Sequence, residues 1–196
     1  NQGVTLLVDP LSFQYLAGKP SFPPATVPTL TVNWLAGSSQ GTFFNRTPNA
    51  IFLLGTTSDP DEFDDDIILH EMGHWAAYNF SKDDTPGGTH TIVDQLDVRL
   101  AWSEGWAHYW SATVRRFAGG ALYPSPWEFV DNFASGASFF EIETPSLSAS
   151  TITARNEVAV AAGLWDITDT NVDIAPDTIS GNESSIWQCL LDFASL

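Results

Sequence analysis

Four residues in this chain have the types and the spacing to hold a metal ion and use it: His70, Glu71, His74 and Glu104. His70 and His74 are four apart, so on a helix their rings leave one face and can share an ion. Glu71 then stands about 100° round the same helix, within reach of a water on that ion. Zinc takes imidazole nitrogen at about 2.0–2.1 Å and keeps one position open for water in catalytic sites. The ion acidifies that water, and a carboxylate accepts its proton as the oxygen attacks an amide carbonyl. The plainer reading is a helix with two partly exposed histidines and a solvent-facing acid. With only 4 His in the chain, two of them flanking Glu71 at this spacing favour the chemical reading.

Two histidines do not complete a site. The single Cys189 excludes a cysteine-based zinc site and an internal disulfide framework, so the remaining donor is His or carboxylate. The His-x-x-Gly-x-x-His extension of the metzincins needs histidine at position 80, which is Phe80. Downstream stand His90, Glu104 and His108. Glu104 is the choice: it lies in W-S-E-G-W-A-H-Y-W, a run so apolar that an acid there needs a reason. Burying a carboxylate uncompensated is costly, and zinc would compensate it. Gly73 and Gly105, each beside a ligand, lower helix propensity by about 1 kcal/mol relative to Ala and predict two helices crossing closely at the metal.

I-L-H-E-M-G-H-W followed by W-S-E-G-W-A-H-Y resembles the gluzincin metallopeptidases, the thermolysin-like and zinc-aminopeptidase families. In them a second helix supplies a Glu ligand from an Asn-Glu-Gly or Asn-Glu-Ala context, to which Ser103-Glu104-Gly105 is similar. The resemblance implies His70, His74 and Glu104 as zinc ligands and Glu71 as general base. It covers Ile67 to Trp110, and Glu104 follows His74 by 30 residues, a longer spacing than in those families. The Ser81–Thr91 loop absorbs the insert cheaply. Thermolysin-like enzymes brace a zinc histidine from four residues after the ligand Glu, and His108 stands there. The alternatives for His108 are a ligand, a transition-state donor or an ordinary helix histidine. His90, after Pro-Gly-Gly, reads first as a solvated loop residue. With His108, Tyr78, Tyr109 and Arg155 it is a candidate oxyanion donor, and nothing local selects among them.

These residues need elements to position them. Val4–Val8, Thr29–Leu35, Thr42–Phe44 and Ala50–Leu54 read as strands, separated by Pro- and Gly-containing turns. Asp59 opens the acidic run D-P-D-E-F-D-D-D, then I-I-L-H-E-M-G-H-W-A-A-Y-N-F reads as a helix. Carboxylates before its first turn suit the helix dipole, so Asp59–Asp66 reads as a solvated helix start rather than a calcium loop, and Asp83-Asp84 as solvated too. A second helix is expected from about Asp97 to Phe117, stopped by Gly119-Gly120, with further helices at Pro126–Ala134 and Glu157–Ile167. Strands first and helices after predict an α+β fold: a small, mostly antiparallel N-terminal sheet, then a helical part whose His-Glu-x-x-His helix packs on a second ligand-bearing helix. Residues 1–196 read as a single catalytic domain, strand-rich over about 1–60 and mainly helical over 61–196, of a chain expected to continue past Leu196.

Composition narrows the partners. Seven basic residues against 24 acidic ones give a formal charge of −17, which repels nucleic acid and anionic lipid. No stretch of eighteen apolar residues occurs, so no membrane span is expected. The low lysine content and three Asn-x-Ser/Thr triplets favour an extracytoplasmic or secreted protein. The function expected is zinc-dependent hydrolysis of a peptide or protein substrate, with an extended peptide pairing along Thr42–Phe44 or Ala50–Leu54. The alternative is a catalytically inactive, metal-stabilised peptide- or protein-binding module. A di-iron carboxylate bundle needs a second Glu-x-x-His, which the chain lacks.

Overall fold

The computed structural model describes residues 14–19, 28–170 and 179–194; the strand expected at Val4–Val8 lies outside them. The architecture is α+β. Strands β1 (Thr31–Trp34), β2 (Phe43–Asn45) and β3 (Ala50–Leu53) form a sheet in the order β1-β3-β2. Ala50, Ile51 and Leu53 of the central strand are buried, as an apolar β-branched run between two neighbours should be. The small sheet is mixed: β2 pairs antiparallel with β3, and β1 pairs parallel with it. β2 is thereby an edge strand.

Four helices follow: α1 (Asp65–Phe80), α2 (Val98–Ala118), α3 (Glu157–Asp166) and α4 (Glu183–Ala194). Asp97 caps α2 by accepting from the Arg99 amide at 2.9 Å. Leu69, Met72 and Trp75 of α1, Trp106 and Trp110 of α2, Trp165 of α3 and Trp187 of α4 join Ile51 and Leu53 in one apolar core. Gly73 sits where α1 meets α2: a Cβ there would lie 2.8 Å from Ala107 Cα and 3.0 Å from Trp110 Cβ. Trp106 Nε1 donates to Gly73 O across the same contact at 3.0 Å. Gly105 serves a different crossing, because its Cβ would meet Val160 Cβ at 2.6 Å and Glu157 O at 2.7 Å. One glycine thus sets the approach of α2 to α1, and the other its approach to α3.

Two expectations fail for one reason. Pro126–Ala134 is not helical; it carries β4 (Glu128–Phe133), which pairs antiparallel with β5 (Gly136–Glu141). The acidic run is not a solvated helix start, since Asp61, Asp64 and Asp66 are buried. The amides of Val130 and Asn132, two apart on β4, donate to Asp66 Oδ2 at 2.7 Å and Asp64 Oδ2 at 2.9 Å. The acids before and at the start of α1 therefore act as acceptors for the free edge of a hairpin, at its period of two. Arg115 of α2 neutralises one of them, with Nη1 2.9 Å from Asp66 Oδ1. Asp83 is likewise engaged, with Arg46 Nη2 at 2.9 Å. Among the described residues no helix is long and apolar enough to cross a membrane.

Candidate metal centre

α1 and α2 bring His70, His74 and Glu104 together. His70 Nε2 and His74 Nε2 are 3.2 Å apart, and each lies 3.1 Å from Glu104 Oε2. Ligands of a tetrahedral zinc at about 2.0–2.1 Å stand about 3.3 Å from one another, so this triangle has the edges of one face of such a site. Burial disfavours a charge on His74, but the Glu104 carboxylate outweighs it and pushes the ring up to about 9. Burial acts against ionised Glu104 too, yet the two rings hold it far below the ordinary carboxylate range. A half-buried carboxylate facing two imidazole nitrogens demands a shared cation, and a metal ion meets that demand as well as a proton does.

Both rings are anchored from behind. His74 Nδ1 lies 3.2 Å from Ser103 Oγ, which accepts its N–H in the tautomer that leaves Nε2 as the electron-pair donor. His70 Nδ1 lies 3.0 Å from His108 Nδ1. His108 is buried, with Phe129 and Phe140 of the hairpin edge-on to its ring at 4.7 and 4.8 Å. Burial, with the His70 ring beside it, holds His108 well below its usual pKa. It is therefore neutral, and it accepts from His70 in the tautomer that leaves His70 Nε2 as an electron-pair donor.

Glu71 is buried beside the triangle, and its Oε2 accepts the Phe44 amide of β2 at 2.6 Å. The edge strand, not the central β3, thus faces the centre. A cleft of about 880 Å³ opens over it, lined by Phe43, Phe44, His70, Glu71, His74, Glu104 and the 85–90 loop. Arg46 ties that loop to the end of β2 through Asp83 and the Thr85 carbonyl.

His90 is half-buried in the cleft wall, not solvated. Its Nδ1 donates to Gly88 O at 2.9 Å; its Nε2 lies 3.1 Å from Glu157 Oε2 and 3.6 Å from Glu104 Oε2. The Glu157 carboxylate leads in pushing His90 up to about 9, against the burial of the ring. Of the other candidate donors, Tyr78 is turned outward against Phe44, and Tyr109 is sealed in the core. Arg155 braces backbone, donating to Leu96 O at 2.8 Å. None of these three lines the cleft.

Sequence reasoning missed Ser103, the Phe44 amide and Glu157. Asn156-Glu157 before an apolar helix reads as a cap, and Asn156 is one, accepting from Ala159 N at 3.0 Å. Nothing near Glu157 announces a partner 67 positions upstream.

The model of the family described as "Mycolysin C-terminal domain" matches residues 22–189, which include His70, His74, His90 and Glu104. A protein of Archaeoglobus fulgidus, named only "Uncharacterized protein", is 30% identical over 135 residues, 64% of this chain and 35% of that protein. The chain thus spans about a third of the length of this relative. No solved structure matches.

Proposed function

This chain belongs to the mycolysin C-terminal domain family, a peptidase-associated family, and on that premise we propose that it is itself a zinc-dependent peptidase. The observation that carries the reading is the triangle of His70 Nε2, His74 Nε2 and Glu104 Oε2 beside the oriented Glu71 carboxylate. Nitrogen and carboxylate donors in a three-ligand set suit zinc with one position left for water. The ion would supply Lewis acidity, polarising the scissile carbonyl and lowering the pKa of the attacking water.

The chain's own residues do the rest. Glu71, held through one oxygen by the Phe44 amide, takes the proton of the attacking water and returns it to the leaving amine. His90, held at Nδ1 by Gly88 O and at Nε2 by Glu157, places a positive charge in the cleft wall for the oxygen that gains charge. Ser103 and His108 hold the two ligand tautomers. The edge strand β2 offers its backbone to an extended peptide, and the loop opposite closes the cleft. The substrate is a peptide or protein rather than nucleic acid, which a charge of −17 repels. The 1–196 stretch acts as one catalytic domain, and its acidic, lysine-poor surface suits an extracytoplasmic or secreted setting.

The family description, which speaks of a C-terminal domain, favours a second reading: a metal-stabilised module that accompanies a peptidase and cleaves nothing. Glu71 supports the peptidase reading over it. A structural zinc site has four protein ligands and no need of a buried, unliganded carboxylate at its side.

Incubating the purified chain with denatured protein at neutral pH tests the reading. Cleavage with zinc, its loss to a chelator and its return on adding zinc are expected; no cleavage in the zinc-loaded protein favours the module.

A further inference from the structure

Away from the cleft, three carboxylates crowd together without a cation. Asp59 comes from the turn after β3, Asp61 from the 3-10 turn Asp61–Phe63 before α1, and Asp131 from β4. One oxygen of each lies within 4.8 Å of the other two. Among the described residues none of the three forms an ion pair with a Lys, Arg or His side chain. Asp61 is only 6% exposed, and its Oδ1 is sealed from solvent with no hydrogen-bond partner. Asp59 Oδ1 is orphaned in the same way. The other carboxylate oxygen of Asp61 accepts from the Thr42 hydroxyl, which in turn accepts the Leu54 amide at 2.8 Å.

A buried, unpaired carboxylate oxygen is costly, and three acids at this distance repel one another. Burial pushes Asp61 up to about 7. Burial and the neighbouring Asp59 and Asp64 carboxylates push Asp131 up to about 6. Near neutral pH a cation relieves the cluster at least as well as a proton. Donors that are all oxygen select a hard ion, and an irregular set drawn from three chain segments suits calcium, which takes 6–8 oxygens in flexible geometry, better than magnesium with its strict octahedron.

We propose that Asp59, Asp61 and Asp131 form a calcium site that staples the β2 entrance, the start of α1 and the β4–β5 hairpin. All three pieces bear on the cleft: Thr42 lines it, α1 carries His70, Glu71 and His74, and the hairpin packs on His108. The site does not depend on the metal centre's being catalytic.

The test is thermal unfolding and calorimetric titration of the zinc-loaded chain with calcium, beside Asp61→Asn, Asp131→Asn and Glu71→Gln. The parent and Glu71→Gln should bind one calcium, and Tm should rise by about 5–10 °C at about a hundredfold excess over Kd. Asp131→Asn, at a half-buried position that tolerates the change, should lose the rise, and so should Asp61→Asn if it folds. Without calcium, Asp131→Asn should melt no lower than the parent, since it relieves repulsion. No Tm shift at millimolar calcium, an unchanged shift in Asp131→Asn, or an equal shift with magnesium would overturn the assignment.

Discussion

The Nδ1 atoms of His70 and His108 face each other at 3.0 Å, an arrangement that works only if one ring donates and the other accepts. His108, buried and held well below its usual pKa, is neutral, and it is the acceptor in the tautomer in which His70 carries its proton on Nδ1 and bares Nε2 to the cleft. Removing the acceptor in His108→Leu should weaken zinc binding by about 10–100-fold. His108→Gln, which can still accept, should recover part of the loss. Competition with a chromophoric chelator measures both; affinity unchanged in His108→Leu would make the residue mere packing.

Glu71 is oriented by a backbone amide, which a side-chain scan would overlook. Phe44→Pro removes that N–H at an edge-strand position where proline is tolerated. A charge-assisted hydrogen bond contributes about 1.5–3 kcal/mol, so kcat should fall by about 10–100-fold with zinc affinity intact. Phe44→Ala keeps the amide and is the control: it changes KM through the lost ring while kcat stays within a few-fold.

If His90 polarises the reacting carbonyl, His90→Gln should cost about 10²–10³ in kcat and leave one zinc bound. Glu157→Gln, which keeps a weaker acceptor for the same ring, should cost less. A His90→Gln protein with full turnover would remove the residue from the reaction.

The buried pair of Asp66 and Arg115 predicts an asymmetry. Burial, against the pull of Arg115, leaves Asp66 at about 6. That lies above the ordinary value of about 3.9, so ionised Asp66 costs stability as pH rises from about 4 to about 6, and the cost is constant beyond. Arg115→Met removes the opposing charge and raises Asp66 further. Its deficit from this source is absent below about pH 6 and grows as pH climbs above it. Asp66→Asn instead no longer titrates, so its deficit against the parent shrinks by about 1–2 kcal/mol as pH rises from about 5 to about 8. Urea unfolding at about pH 5 and about pH 8 separates the two patterns.

The parts of the site legible in the sequence are those whose geometry is local. His70, Glu71 and His74 are fixed relative to one another by one helix, and Glu104 betrays itself as an acid in an aromatic helix face. Helices α1, α2 and α3 and the three strands of the small sheet follow from periodicity and turn residues in the same way, whereas α4 was not expected. The illegible parts depend on distant partners. Asp64 and Asp66 read as a solvated start because their donors, Asn132 and Val130, are 68 and 64 residues away on a hairpin that was itself unread. That hairpin's alternation is short and interrupted by Val130, so a helix fits Pro126–Ala134 as well until β5 is in place. His90 looked solvated because the acid that holds it, Glu157, belongs to another helix.

The central claim is that the triangle holds a metal that Glu71 turns to hydrolysis, and one paired measurement tests it most directly. Zinc content and cleavage of a denatured protein are read on the same preparations of parent, Glu71→Gln and Glu104→Ala. One zinc and cleavage are expected in the parent, one zinc and no cleavage in Glu71→Gln, and neither in Glu104→Ala. Cleavage by Glu71→Gln at the parent's rate, or zinc held as tightly by Glu104→Ala as by the parent, would contradict the claim.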